Sequence, residues 1–172
     1  MATPTTLPAS FVAGDVLQAA QLNNLRGAFR VLQVVSTTKT DSFSTASTSY
    51  VDITGLSVTI TPSSTSSQIL VLTGVAMSGD NGGRMAIQLK RGSTDIAIST
   101  GFAGTNQTSC SFDTIYMSQY VSIAHLDSPA TTSATTYKFQ AKVAAGTGYI
   151  NAQHGATTHG NVSTLTVMEI SA

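Results

Sequence analysis

Charge is scarce in this chain. Only 9% of its 172 residues are Asp, Glu, Lys or Arg, against roughly 25% in ordinary domains. Eight Lys/Arg balance eight Asp/Glu, so there is no basic stripe to neutralise a phosphate backbone, and nucleic-acid binding is not expected. One cysteine, Cys110, leaves no partner for an internal disulfide. No apolar run approaches the roughly 20 residues that a bilayer-spanning helix needs, so no membrane insertion is expected. Residues 1 to 10 lack the basic start and apolar stretch of a secretory signal, so folding in a cytoplasm is the expectation. A formal net charge of zero gives little electrostatic dispersal, which argues for association rather than a free monomer.

What takes the place of charge is hydroxyl. Ser and Thr together exceed one residue in four. The branched Cβ of Thr is stiff and suits a pleated strand, while Ser and Gly suit the turns between strands. The composition therefore predicts an all-β protein. The length favours one main domain with a short appended segment, able to support a core without metals or disulfides.

Three zones follow along the chain. Residues 1 to 14 form an arm with two prolines and one aromatic, Phe11, too poor in apolar area to fold alone. Residues 15 to 29 turn helical in pattern: Ala19, Leu22, Leu25 or Arg26, and Phe29 recur at spacings of three and four. Gly27 weakens the end of that helix. A helix this short is marginal in water, so its apolar stripe needs a partner, either its own β domain or another chain. From residue 30 the period switches to two. Val31 to Thr37 opens the β region. Tyr50 to Ile53 alternates, Thr54-Gly55 breaks the pattern, and Leu56 to Ile60 resumes it. Ile69-Leu70-Val71-Leu72 is a continuous apolar run, the pattern of a central strand covered on both faces. Further strands are predicted over 85–89, 96–99, 111–117, 120–124, 137–143, 148–151 and 165–170. About ten short strands with regularly spaced turn signals predict an antiparallel β-sandwich, jelly-roll-like, over residues 30 to 172. The arm and helix, residues 1 to 29, form the second unit.

Candidate chemistry is sparse. His154 and His159 share a polar loop, but zinc normally takes four ligands and no Cys or carboxylate lies inside that loop. A polar exposed loop, open to a receptor, is the better reading, and no metal is expected. Asp80-Asn81-Gly82-Gly83 lacks the oxygen series and closing Glu of a calcium loop, and reads as a turn between strands. Asp113 and Asp127 could pair as glycosidase carboxylates do, and Cys110 could approach His125, but nothing in the spacing requires either. No enzyme activity and no cofactor are expected. Tyr116, Tyr120, Tyr137 and Tyr149 combine an apolar ring with a polar tip and would matter if several clustered at one end.

Certain segments carry a family resemblance. They are Phe11 through Asn23, Val34 through Thr40, Asp52 through Pro62, Leu126 through Pro129, and Val167 through Ser171. Together they resemble small bacteriophage virion structural proteins of the tail-fibre-like type. The resemblance implies a trimeric β-sandwich module fastened to the particle by its N-terminal segment, with Phe11, Val16, Leu17, Leu22, Leu25 and Phe29 as the docking or oligomerisation residues. It implies a homo-oligomer whose partners are another phage virion protein and a host-surface glycan or protein. Capsid decoration is the alternative. Residence in the virion after synthesis in the host cytoplasm follows from either.

Overall fold

A computed structural model describes residues 31–80, 84–102, 105–110, 118–153 and 160–171. The expected arm, the helix over 15–29 and the strand over 111–117 lie outside these residues, as does the boundary between the two expected units. Among the described residues there is no helix; every regular element is a strand.

In chain order the strands are β1 (Val31–Lys39), β2 (Phe43–Thr45), β3 (Val51–Ile60), β4 (Gln68–Gly79), β5 (Met85–Arg91), β6 (Thr94–Ile96) and β7 (Ser99–Phe102). They continue with β8 (Thr105–Gln107), β9 (Ser109–Cys110), β10 (Gln119–Asp127), β11 (Thr135–Val143), β12 (Gly148–Ile150) and β13 (Ser163–Ile170). The first sheet runs β1-β13-β4-β10, with β12 and β2 continuing along the far end of β4. The second runs β3-β11-β5, and β5 then pairs β6 and β9. All pairings are antiparallel. Successive long strands fall in alternate sheets: β1 in the first, β3 in the second, β4 in the first, β5 in the second. The chain therefore crosses between layers repeatedly instead of running as a simple meander, and the result is an antiparallel β-sandwich.

Alternation explains why the two layers close on each other. In β13, Leu165 and Val167 are buried while Thr164 and Thr166 between them are not. In β4, Ile69, Val71, Val75 and Met77 point inward. They meet Ile53, Leu56, Val58 and Ile60 of β3, Met85, Ile87 and Leu89 of β5, and Phe139 of β11 in one cluster. Each such side chain contributes about 1.5–3 kcal/mol by leaving water.

The break expected at Thr54-Gly55 is a bulge inside one strand, not a gap between two. Lys138 pairs with Ser57 and Gln140 with Asp52, so β3 spends extra residues against β11 at this point. Gly55 takes φ +83, a left-handed conformation that glycine adopts at little cost. The bulge lets Ile53 and Leu56 both face the core although they are three residues apart. Arg91 pairs with Thr94 and Gly92 has φ +57, so Gly92-Ser93 is the two-residue turn of the β5–β6 hairpin. The turn expected at Asp80-Asn81-Gly82-Gly83 falls mostly outside the described residues; the strands on either side of it, β4 and β5, belong to opposite sheets.

Candidate assembly face

The two outer faces of the sandwich differ in chemistry. On the second sheet, Lys138 pairs with Asp52 at 2.8 Å and Lys90 with Asp95 at 2.6 Å. The Lys138 ammonium, and after it the Gln140 amide, holds the Asp52 carboxyl below the usual carboxylate range. Lys142 lies 5.1 Å from the centroid of the Tyr50 ring. This face carries charge: its Asp52, Lys138 and Lys90 end is partly exposed, while Lys142 and Gln88 on the same face are buried.

The outer face of the first sheet is the opposite. Antiparallel registers place Val34 beside Met168, Met168 beside Leu70, and Leu70 beside Leu126. These four form one apolar row across all four strands. The next row, Ser36, Thr166, Leu72 and Ala124, is uncharged. Among the described residues no Asp, Glu, Lys or Arg stands on this face, because Lys39 and Glu169 both turn inward and are buried. Val34 is 53% exposed and Leu126 48%. The expectation that the run 69–72 belongs to a strand covered on both faces is thus met on one face only. Ile69 and Val71 are in the core, but Leu70 and Leu72 are only half-buried.

Three polar anchors hold this sheet in place. At one end Glu169 is fully buried: its Oε1 accepts from the Ser63 backbone N–H at 2.7 Å and the Ser63 hydroxyl at 2.6 Å, and its Oε2 accepts from Gln33 Nε2 at 2.6 Å. Burial pushes the carboxyl up, but the hydrogen bonds from Ser63, Gln33 and Ser67 outweigh it and bring it down to about 2. Gln33 also donates to the Thr61 carbonyl at 2.7 Å, so β1, β13 and the β3–β4 connection are tied together.

The second anchor joins the two sheets. Arg91 of β5 donates to both oxygens of Asp127 on β10, at 2.8 and 3.0 Å, and to the Ser128 carbonyl at 3.2 Å. The Tyr137 hydroxyl of β11 donates to Asp127 Oδ2 at 2.6 Å. Burial, reinforced by the adjacent Asp127, drives the phenol well above its ordinary value, so it remains a donor. Tyr137→Phe is expected to cost about 2 kcal/mol, because a hydrogen bond to a buried charged acceptor is lost. Urea denaturation would read this as a lower midpoint with unchanged slope; an unaltered midpoint would remove Asp127–Tyr137 as an anchor.

The third anchor is Asn151, buried and left-handed at φ +58. Its Nδ2 donates to the carbonyls of Lys39 at 2.8 Å and Asp41 at 3.2 Å, and its Oδ1 accepts from the Ser163 hydroxyl at 2.6 Å. Ser163 Oγ in turn accepts from the Ala76 N–H at 3.0 Å. Every named polar group has a partner.

Few of the residues singled out by sequence fall within the described structure. Phe11, Val16, Leu17, Leu22, Leu25 and Phe29 lie outside it, as do His154, His159, Asp113 and Tyr116. Asp127 is placed, and its oxygens are committed to Arg91 and Tyr137. His125 sits on β10 opposite Val71, half-buried. Of the described tyrosines among those four, Tyr120 is exposed, Tyr149 is half-buried and Tyr137 is in the core, so these three do not cluster as exposed rings. Among the described residues no group of three or more His, Cys, Asp or Glu is placed to hold a metal ion, and no helix is long and apolar enough to cross a membrane. Sequence reasoning missed Asn151 and Glu169. An Asn just after a strand and a lone Glu inside an alternating apolar strand were the available signals.

No protein-family model matches the chain, and no curated protein does. Solved structures that resemble it include one of infectious bursal disease virus strain Gx, with a TM-score of 0.42 at 14% identity over 81% of this chain and 37% of that one. A second is the VP2 subviral particle of the same virus, with a TM-score of 0.39 at 16% identity over 81% of this chain and 37% of that one. A third is of T=1 particles derived from infectious bursal virus, with a TM-score of 0.41 at 16% identity over 81% of this chain and 36% of that one. The chain spans well under half the length of each.

Proposed function

We propose that this protein is a non-enzymatic structural component of a bacteriophage particle. In this reading it is a tail-fibre subunit. Residues 1 to 29 attach it to the tail or baseplate, and the sandwich, as a trimer, meets a glycan or protein of the host surface. The observation that carries the reading is the contrast between the two outer faces, one carrying the ion pairs Lys138–Asp52 and Lys90–Asp95, the other uncharged and crossed by an apolar row. A sandwich built this way is material for assembly: it can give its uncharged, apolar-crossed face to neighbours. Its strand order, β1-β13-β4-β10 over β3-β11-β5 with β6 and β9, is that of a jelly roll, an architecture common among viral capsid and lectin domains. That last support is analogy of fold and not of site. The sequence resemblance points the same way. Rigidity supports it as well, since Asp127, Glu169 and Asn151 are spent on internal bonds.

Immunogold electron microscopy of intact particles tests it. Label at the tail tip is expected, together with loss of the protein from particles when residues 1 to 28 are deleted. Label over the head, at a copy number matching the capsid lattice, would replace the fibre reading with decoration. Absence from particles, or product release from host glycan by the purified protein, would overturn the proposal.

A further inference from the structure

The outer face of the first sheet is ordered into rows that run across β1, β13, β4 and β10. Beside the apolar row Val34, Met168, Leu70 and Leu126 stands the middle row Ser36, Thr166, Leu72 and Ala124. Beyond it lies a row of small residues, Thr38, Thr164, Gly74 and Ser122. Val31 and Leu32, both exposed, extend the apolar end. Tyr120 and Val162, also exposed, close the other end, with the Tyr120 hydroxyl 3.4 Å from the Val162 backbone.

With strands about 4.8 Å apart and same-face residues about 7 Å apart, four strands and five rows cover roughly 650 Å² in projection. Side chains standing above the sheet raise the accessible area towards the roughly 800 Å² that each copy gives to a stable protein–protein interface. The cores of such interfaces are poor in charge. Among the described residues this face has no Asp, Glu, Lys or Arg, so it meets its own copy without repulsion.

Gly74 points to the same occupant. It lies inside β4 with β10 paired on one side and β13 on the other, a position where glycine weakens a strand. Its φ is not positive, so the backbone does not call for glycine. A Cβ placed on it would meet nothing among the described residues nearer than Thr164 Oγ1, at 4.0 Å. The sandwich has room for a side chain there. Glycine inside a strand often marks a close approach from outside. The trough at Gly74 and Ser122 lies one row from the middle row, and the ridge of Leu70 and Leu126 lies one row from it on the other side. Rotation about an axis that crosses the strands over the middle row sets the ridge of one copy into the trough of the next.

We propose that copies of this chain pack together through the outer face of the first sheet, with Leu70 and Leu126 of one copy seated over Gly74 and Ser122 of another. The contact gives the oligomer of the proposed function its surface, but it does not depend on attachment to a particle. It accounts for Leu70 and Leu72, half-buried in the single chain, and for a glycine that β4 itself does not need.

Sedimentation equilibrium of the full chain tests this. The unaltered protein is expected to associate. Leu126→Glu and Gly74→Val should each weaken association at least about tenfold, as loss of a central interface contact does. Ser57→Glu, at an exposed position on the second sheet, should leave it unchanged. At a dilution where both are monomers, Gly74→Val should melt no lower than the parent, since valine suits a strand. Adding Ser122→Lys to Leu126→Glu should regain association at low salt and lose that gain at high salt, because the new ammonium of one copy faces the new carboxylate of the next. A protein still monomeric at about 100 µM would overturn the inference. Association that neither Leu126→Glu nor Gly74→Val weakens would also overturn it, as would a lysine that rescues nothing. Two copies instead of three would keep this contact and remove only the trimer of the proposed function. An oligomer that is absent from particles would sink the proposed function alone.

Discussion

Asn151→Asp is expected to destabilise the sandwich by at least about 4 kcal/mol, a large fraction of the 5–15 kcal/mol that holds a typical domain. The substitution is nearly isosteric, so packing is not the cause. The amide Nδ2 donates to two main-chain carbonyls, of Lys39 and Asp41. A carboxylate would set an acceptor against both acceptors, in a site only 3% exposed. The loss is therefore two hydrogen bonds plus an uncompensated buried charge, each costly in itself. Asn151→Gly separates the contributions: it keeps the left-handed backbone at φ +58 but deletes the side chain, and should cost less than the Asp variant. Guanidinium melts of the two variants and the parent check the order. A parent-like midpoint for Asn151→Asp would mean that the hydrogen bonds joining the end of β1 to β12 and β13 do not form in solution.

Glu169→Ala should cost about 3 to 4 kcal/mol, since it strips the acceptor from the Ser63 N–H, the Ser63 hydroxyl and the Gln33 amide at a fully buried position. The same carboxylate makes stability depend on acid. Its ordinary value is 4.5 and the fold lowers it to about 2, so the folded state favours the ionised form more than the unfolded state does. The resulting stabilisation is fully present above pH 4.5 and is lost as pH falls from there through about 2. At about 1.4 kcal/mol per pH unit, it amounts to about 3 kcal/mol. Glu169→Gln should flatten that part of the profile while retaining most of the shape. Denaturation midpoints measured between pH 2 and 6 decide it: a variant whose acid slope equals the parent's would assign the effect to other carboxylates.

Several features were legible in sequence for identifiable reasons. Strand positions in β1, β3, β5, β10, β11 and β13 agree with period-two alternation because a strand's two faces are a local property of consecutive residues. The irregularity at Thr54-Gly55 was visible because only glycine fits φ +83 easily. That it is a bulge joining one strand was not visible, since this depends on the register against Lys138 and Gln140, some 80 residues away. The short β2 was missed because Phe43-Ser44-Thr45 has too few residues to show a period. The apolar run at 69–72 indicated that both faces of β4 needed cover, but not that the sandwich core covers only one.

By itself, then, the order of residues determined the class of the protein, its β-rich stretch from residue 31, and the helical periodicity ahead of it. All of these rest on backbone geometry repeated every two or every 3.6 residues, which neighbours along the chain express without help. Only the tertiary structure decided which face of each sheet meets water and which lone acids and amides become anchors. Gln33 meets Glu169 across 136 residues, and Asn151 meets Lys39 across 112. Such pairs exist only once the strands are laid side by side, because no local pattern encodes the partner of a side chain whose bond spans the whole fold.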